Sequence, residues 1–528
     1  MRATKMKNTI SKVRLLLAPV VAVAFTAAAY AAAPGITGPA FNLTAQSAYL
    51  TQPDGAAIYS WGYGCVGSPA GYAPTAISGA FCNAMQVPGP TLIVTEGATV
   101  TVTLTNGLPN AAGNTSILFP GFNVTATGGV SGLMTKEAVP GGSVTYTFTA
   151  SSPGTRAYYS GTQGDLQVEM GLYGAIIVLP SSVPATCTTG LAAANLLVEA
   201  AHGEDDFRLA KAAYNHPKAC YDREYLFQFS EMDADIHREA LAQVKALGSC
   251  TAGAPGCSLQ VATEPYIPDY FMINGRSMPD DMDGNYAAQF PHQPYNGNPH
   301  MHPGEQVLIR VVGQGRWQHP FHEHGNHVRI LGRDGNMILS QSDPTMLAGP
   351  LLFTTTTTPG VAFDGIFYWS GKGLNWDAYG HNPTSPDALA KLPCTPDANG
   401  YNTGPAVYAA INYYEWCQDH NKPVQVTPFG DVAANGPVTL PDPNILANGA
   451  WFGGSPYLGP NATVRAVGST GTTPPSGTVG NSPSGEAAFA FMWHSHNERE
   501  ITTNNIFPGG MLMMMLVDSR EFTIDESN

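Results

Sequence analysis

Strand-forming segments occur in the same order in two parts of this chain. Each segment is rich in β-branched or aromatic residues and is bounded by Gly or Pro, a pattern that favours short strands joined by turns. The matching segments are residues 97–104 with 304–311, 144–148 with 363–369, and 174–179 with 510–517. Because the same strand order occurs twice, we predict an all-β fold of two Greek-key sandwich domains.

The two predicted domains differ in length. We expect the first at residues 40–182 and the second at residues 190–528. Two regions of the second domain interrupt the strand pattern, at about 205–262 and 372–485. We interpret both as long loop insertions, the first with a short helix at residues 235–247.

The N-terminus has the layout of a secretory signal peptide at residues 1–31. Basic residues precede an apolar run at 15–29, and Ala29 and Ala31 supply the small side chains of a cleavage site. The alternative is an uncleaved membrane anchor. We predict an exported protein in the periplasm, on the cell surface or outside the cell. No membrane span is expected after signal cleavage, because no later apolar run is long enough.

The eight cysteines are consistent with export. Cysteines of exported proteins are commonly paired, so up to four disulfides are expected. Proximity in sequence suggests the pairs Cys65–Cys82, Cys187–Cys220, Cys250–Cys257 and Cys394–Cys417. Sequence alone does not fix this connectivity, and any of the eight could instead be a reactive thiol.

The charge balance argues against two classes of partner. The chain has 24 Lys and Arg residues against 39 Asp and Glu residues, a net charge of −15. Such a surface repels phosphate backbones and anionic lipid headgroups. We therefore expect neither nucleic acid nor a membrane surface as a partner.

Two short histidine motifs carry the chemical signal. His322 and His324 are two residues apart, as are His494 and His496. In a strand, residues i and i+2 point to the same face, so each pair would present two imidazoles on one side. If the two strands are neighbours, the four imidazoles converge. Imidazole ligates copper, zinc, iron or nickel, so the motifs predict a metal site.

These motifs resemble those of the multicopper oxidase family. The stretch at residues 319–325 reads H-P-F-H-E-H-G and resembles the family pattern H-P-x-H-x-H-G, while W-H-S-H at 493–496 resembles W-H-C-H. Residues 170–175 and 272–276 resemble two further family segments. The resemblance implies cupredoxin sandwiches, copper as the cofactor and His319 as a fifth metal ligand. Since two-domain relatives tend to assemble as trimers, the resemblance also implies a homotrimer. A separate redox partner protein is an alternative source of electrons for the site.

The resemblance fails at the blue, or type 1, copper position. Ser495 stands where the family has its cysteine, and Glu500 stands where it has a second histidine. A hydroxyl cannot replace the soft thiolate ligand of a blue copper centre. Of the type 1 ligands only His319 remains. Met511 is a candidate axial ligand, although its spacing is longer than usual, and Met513 to Met515 are expected to pack within a strand.

Half of the histidines of the family's three-copper cluster are also absent. The matching positions in the first domain lie at about 116–121 and 159–161, and neither stretch contains histidine. We therefore expect one or two copper ions rather than the full set of four. Other residues remain open as ligands. His300 and His302 form either a second ligand pair or part of a solvated loop, and Glu498 and Glu500 are either ligands or surface acids. Glu323 should face away from the paired histidines, and His327 should lie beside the site.

Three functions remain open. The first is a copper-dependent oxidoreductase, which would need electrons by a route other than the missing thiolate. The second is a non-enzymatic envelope protein that binds metal or has a structural role. The third, a zinc hydrolase, is less favoured, because four histidines would close the position that catalysis needs. No catalytic residue is assigned.

The serine at position 495 predicts the colour of the protein. Copper-loaded protein should lack the intense blue absorption of a site with two histidines and one cysteine. The variant Ser495→Cys should also lack the full blue spectrum, because Glu500 would still occupy a histidine position. Visible spectroscopy of both proteins checks this, and strongly blue wild-type protein would contradict the interpretation of Ser495.

Overall fold

Four large β-sheets and one two-stranded ribbon are present in the part of the chain that the structure describes. A computed structural model describes residues 32–189, 200, 203–302, 304–370, 454–458, 487–518 and 524–525. Helices in these ranges are few, namely α1 (Gly164–Gln167), α2 (Ala234–Leu247) and the 3-10 turns Asn110–Ala112, Ala185–Cys187, Asp280–Met282 and Glu498–Ile501. The predicted all-β class is thereby confirmed.

The N-terminal part of the chain forms two five-stranded sheets. The first sheet has the order β11 (Gly154–Tyr159), β12 (Tyr173–Leu179), β5 (Leu92–Thr95), β1 (Gly35–Thr37) and β4 (Tyr72–Ala73). The second has the order β3 (Ala57–Cys65), β2 (Ala40–Thr51), β6 (Thr99–Asn106), β10 (Ser143–Thr149) and β7 (Thr125–Gly128). The short strands β8 (Val130–Ser131) and β9 (Lys136–Glu137) form the ribbon. In β6 the apolar side chains are buried and the threonines between them are not, as a strand with one core face requires.

The C-terminal part forms two larger sheets. The third sheet has the order β14 (Tyr270–Ile273), β13 (Arg223–Met232), β16 (Gln306–Gly313), β22 (Ala362–Tyr368), β18 (Val328–Arg333) and β19 (Asn336–Met337), with β20 (Leu351–Leu352) also on β18. The fourth sheet has the order β15 (His300–Met301), β25 (Leu512–Asp518), β24 (Ala487–Ser495), β17 (His319–Glu323) and β21 (Thr354–Thr357), with β23 (Gly454–Leu458) on β24. The motif strands β17 and β24 are neighbours in this fourth sheet.

One region predicted as an insertion contains a central strand. Within residues 205–262, β13 lies between β14 and β16, and all ten of its residues are buried. A strand buried on both faces does not alternate apolar with polar side chains, so its pattern resembled irregular structure. The predicted helix at 235–247 is present as α2, with the Asp233 side chain accepting from the amides at its first turn. Most of the other predicted insertion, 372–485, lies outside the described residues.

Three of the four suggested disulfides are confirmed. The bonded pairs are Cys65–Cys82, Cys187–Cys220 and Cys250–Cys257. The pair Cys394–Cys417 lies outside the described residues, as does the predicted signal peptide at 1–31. Three disulfides are typical of proteins that fold in an oxidising, exported environment. Among the described residues, no helix is both long and apolar enough to cross a bilayer.

An aromatic core joins the third and fourth sheets beneath the motif strands. Phe321 of β17 and Trp493 of β24 are fully buried, with their ring centroids 6.0 Å apart. Phe229 from β13 lies 4.7 Å from Phe321, centroid to centroid. These side chains occupy the inner face of the fourth sheet, so the alternate residues of both strands point outward.

A buried carboxylate connects the first and third sheets. Asp364 accepts hydrogen bonds from the backbone amide and the hydroxyl of Thr155, at 3.0 and 2.6 Å, and from the Tyr214 hydroxyl at 2.6 Å. Arg310 bonds Asp364 at 3.1 Å and Glu224 at 2.6 Å. Both ion pairs are excluded from solvent, so each charge depends on its partners for compensation. This contact joins the N-terminal pair of sheets to the C-terminal pair. The predicted domain limits, 40–182 and 190–528, remain a prediction.

Removing the cation from this contact should destabilise the fold. Arg310→Met would leave Glu224 and Asp364 as uncompensated buried carboxylates, and we expect the free energy of unfolding to fall by roughly 3–5 kcal/mol. The control is Arg238→Met, because Arg238 pairs with Asp235 on the exposed surface of α2 and should cost under about 1 kcal/mol. Urea denaturation measures both values. Equal losses in the two variants would contradict the assignment of Arg310 as a buried interface cation.

Candidate metal centre

The register of β17 and β24 brings the two histidine motifs together. The strands are antiparallel, with His322 directly opposite His494 and Phe321 opposite Ser495. Because Phe321 faces the core, His322 must face the other side of the sheet. A shift of one residue would turn the imidazoles inward and the aromatic rings outward, so burial of the core fixes this pairing.

The four motif histidines form one cluster on the outer face of the fourth sheet. His322 is the central member, since its ring lies against the other three. The centroid distances are 4.8 Å for His322–His324, 4.8 Å for His322–His496, 5.5 Å for His322–His494, 5.2 Å for His324–His494 and 5.7 Å for His494–His496. One ligand nitrogen from each of His322, His324 and His494 lies within 4.8 Å of the other two. That these nitrogens bind a metal stays a prediction.

The ring orientations fit coordination through Nε2. The Nε2 atoms of His324 and His494 face each other at 3.3 Å. On the opposite edge of its ring, His494 Nδ1 donates to the Ser495 carbonyl at 2.7 Å, and His322 Nδ1 lies 2.6 Å from the Thr354 hydroxyl. Outer partners of this kind fix the tautomer and the angle of a ligating imidazole.

The four histidines of the cluster differ in their exposure to solvent. His322 and His494 are buried, His324 is half-buried and His496 is exposed. Burial and the neighbouring imidazoles lower the pKa of His322 to about 4, and burial lowers the pKa of His494 as well. Both rings are therefore neutral near pH 7 and keep the lone pair that a metal needs. The donor set fits copper, for which neutral imidazole is a common ligand.

His319, the fifth predicted ligand, lies outside this cluster. It is fully buried on the inner face of β17, with Nε2 2.9 Å from Glu231 and Nδ1 2.9 Å from Glu500. Both ring nitrogens are thus occupied by carboxylates, and neither is available to a metal. Burial opposes the charge, but the hydrogen bonds from the two glutamates prevail and raise the pKa of His319 to about 9.

A hydrogen-bonded network occupies the place where the resemblance puts type 1 copper. The Ser495 hydroxyl donates to Glu500 at 2.5 Å, and Asn497 donates to the other oxygen of the same carboxylate at 2.9 Å. Glu231 accepts from the backbone amides of Arg316 and Trp317 at 2.6 and 2.9 Å. Since Glu500 is buried and bonded here, the surface-acid alternative for this residue is wrong, while Glu498 is exposed.

The remaining open candidates have other roles. His300 pairs with Asp518 at 2.6 Å and His302 with Glu204 at 2.7 Å. Both histidines are buried, so the solvated-loop alternative is wrong. Within the part of the chain that the structure describes, the only grouping of ligand atoms with metal-site spacing is that of His322, His324 and His494.

Three further residues that the sequence left open lie near the cluster or beneath it. Glu323 is buried on the inner face and accepts from the Thr355 hydroxyl at 2.8 Å, and burial raises its pKa. His327 stacks edge-on against Phe353 at 5.0 Å. Met511 is buried in the aromatic core, consistent with strand packing. None of the three contributes to the nitrogen cluster.

The first sheet pair offers no imidazole at the positions matching the missing motifs. Leu118 and Tyr159 are joined by a backbone hydrogen bond of 2.7 Å, and the Ser116 hydroxyl lies 2.8 Å from that of Thr162. Hydroxyl and apolar groups therefore occupy this region. The described residues therefore form an all-β, cupredoxin-like fold that carries a histidine cluster on the outer face of the fourth sheet.

Two segments of the chain match models of a known protein family. Both models are described as multicopper oxidase, and they match residues 75–183 and 262–360. Over these two segments the chain is similar to copper-binding oxidases.

Individual relatives match over short stretches. Multicopper oxidase MCE of Talaromyces pinophilus is 38% identical over 98 residues, which are 18% of this chain and 15% of that protein. A copper-containing nitrite reductase of Pseudomonas chlororaphis is 36% identical over 97 residues, 18% of this chain and 25% of that protein. The chain thus matches a quarter or less of the length of these relatives. Among solved structures, the multicopper oxidase mgLAC aligns over 92% of this chain and 88% of its own, with 15% identity and a TM-score of 0.43.

The carboxylate-bound His319 makes stability depend on pH. Its folded pKa of about 9 exceeds the ordinary value, so the stabilisation is complete below about pH 6.5 and is lost as the pH rises through about 9. Urea denaturation across this interval should show unfolding free energy falling with pH. In His319→Gln this part of the decline should disappear. An identical slope in both proteins would contradict a charged His319 in the fold.

Proposed function

We propose that this protein is an exported copper-dependent oxidoreductase that uses a reduced histidine copper site and has no blue copper centre. The observation that carries the proposal is the convergence of four imidazoles on one sheet face, while the thiolate position holds Ser495. The matches of residues 75–183 and 262–360 to multicopper oxidase models support copper over other metals. The oxidoreductase activity is part of the proposal, because the relatives match this chain over only 98 and 97 residues.

The residues that would hold copper are His322, His324 and His494, with His496 completing the set from the exposed side. Copper bound there would supply one-electron redox chemistry. The chain contributes neutral imidazoles, held by Thr354 and by the Ser495 carbonyl, and an aromatic core that fixes both strands from behind. The exposed His496 leaves the cluster open to solvent, so a small reactant can approach from that side.

The donor count favours one copper ion, with two as the upper value. A first ion would take the buried pair, His322 and His494, together with His324. A second would have to share His496 and find other donors, and the first sheet pair carries no histidine at the matching positions. One or two ions therefore replace the family's set of four.

Electrons need a route that does not use a thiolate. We propose delivery to the exposed side of the cluster, either by a small substrate or by a separate redox partner protein. A homotrimer would also fit, since the outer face of the fourth sheet could meet a neighbouring copy. The three disulfides support export, to the periplasm, the cell surface or the medium.

A second candidate is a non-enzymatic copper-binding protein of the cell envelope. The observation that favours it is the replacement of the first-domain histidines by hydroxyl and apolar groups, which removes half of the usual cluster. Such a protein would bind copper as tightly but would not turn over. Oxygen or peroxide consumption with a one-electron reductant separates the two candidates.

Removing two motif histidines should remove the copper. In a variant with His322→Ala and His494→Ala we expect copper content below about one ion per chain, because imidazole donors provide most of the binding free energy. The matched control is His216→Ala, since His216 is a buried histidine that bonds the backbone at Pro344, away from the cluster. Metal analysis after dialysis gives the result, and full occupancy in the double variant would disprove the site.

A further inference from the structure

Consecutive threonines form the edge strand beside the copper cluster. Strand β21 runs from Thr354 to Thr357 and pairs antiparallel with β17, with Thr354 opposite His322 and Thr356 opposite Pro320. Successive side chains of a strand point to opposite faces, so the threonines divide into two sets. Thr355 and Thr357 are buried on the core face, and Thr354 and Thr356 lie on the histidine face.

The hydroxyls on the core face are committed to other groups. Thr355 donates to the buried Glu323 at 2.8 Å, and the hydroxyl of Thr357 accepts from the backbone amide of His319 at 3.2 Å. On the histidine face, the Thr354 hydroxyl lies 2.6 Å from Nδ1 of His322. The register thus gives one threonine of this strand a direct contact with a cluster imidazole.

The position of this contact on the ring determines what it does. A neutral imidazole carries one N–H, and the Thr354 hydroxyl can either donate to Nδ1 or accept from it. When a metal ion binds Nε2, the proton lies on Nδ1 and the hydroxyl accepts it. The lone pair then lies on Nε2, which is the form that a metal ion binds. The same bond restrains rotation of the ring, together with the contact of the ring with Phe353 at 5.7 Å between centroids.

We infer that Thr354 is a positioning residue for the copper site, which fixes the ring angle of His322 and accepts its Nδ1 proton when Nε2 binds the metal. The inference rests on the proposed function, because it assumes that the cluster binds copper. His322 is the ring in contact with the other three, so its orientation affects the geometry of the whole cluster. For His494 the equivalent partner is a backbone carbonyl, which substitution cannot remove.

Substitutions at this strand test the inference. Thr354→Val keeps the shape of the side chain and removes the hydroxyl, and it should weaken copper binding about 10–100-fold. Thr354→Ser keeps the hydroxyl and should bind copper as the wild type does. Thr356→Val removes a hydroxyl from the same face of the same strand, opposite Pro320, and should have no effect. Chelator competition measures the affinity, and paramagnetic resonance of the Cu²⁺-loaded protein reports the ligand geometry.

The outcomes distinguish this inference from the proposed function. Wild-type affinity and an unchanged resonance spectrum in Thr354→Val would overturn the positioning role while leaving the copper site intact. Equal losses in the Val and Ser variants would also overturn it, because the hydroxyl that Ser retains would then fail to preserve the affinity. Wild-type protein that binds no copper would overturn the proposed function itself. If circular dichroism shows that Thr354→Val does not fold, Thr354→Ala is measured instead, and unchanged affinity there is likewise contrary.

Discussion

The antiparallel pairing of β17 with β24 is the constraint on which the rest of the site depends. Its register sets His322 against His494 and Phe321 against Ser495. The buried aromatic core under Phe321 holds this register, since a one-residue slip would expose the aromatic rings and bury the imidazoles. Hydrophobic packing on the inner face of the sheet therefore determines the positions of the histidines on the outer face.

The two faces of this strand pair have opposite electrostatics. On the outer face, burial and the neighbouring imidazoles lower the pKa values of His322 and His494. Both rings are therefore neutral, which is the state in which imidazole can bind a metal. On the inner face, His319 lies between Glu231 and Glu500 and carries a proton to a higher pH. A buried imidazolium with two carboxylates cannot serve as a soft copper site. The differences at this position therefore extend beyond Ser495, because Glu231, His319 and Glu500 form a hydrogen-bonded network there.

Local patterns predicted much of this arrangement. The spacing of the histidines and the repeated strand patterns can be recognised from residues that are close in sequence. The structure has strands where those patterns predicted them. The three confirmed disulfides likewise join cysteines that are close in sequence. The failures concern distant pairs. Glu231 lies 88 residues before its partner His319, and no spacing rule connects them.

The other misses have the same origin. Strand β13 is buried on both faces by its neighbours and so lacks the alternation that identifies a half-exposed strand. The role of Thr354 requires the register of β21, which a run of identical residues does not reveal. His300 and His302 seemed loop residues, because their carboxylate partners come from remote parts of the chain.

The central claim is that copper binds on the outer face of the fourth sheet and not on the inner face, where the Ser495 side chain bonds Glu500. A crystal structure of the copper-loaded protein, with data collected at the copper absorption edge, tests it most directly. The account predicts an anomalous peak among His322, His324, His494 and His496, and none beside His319 and Glu500. A copper peak between His319 and Ser495, with the outer cluster lacking one, would contradict it.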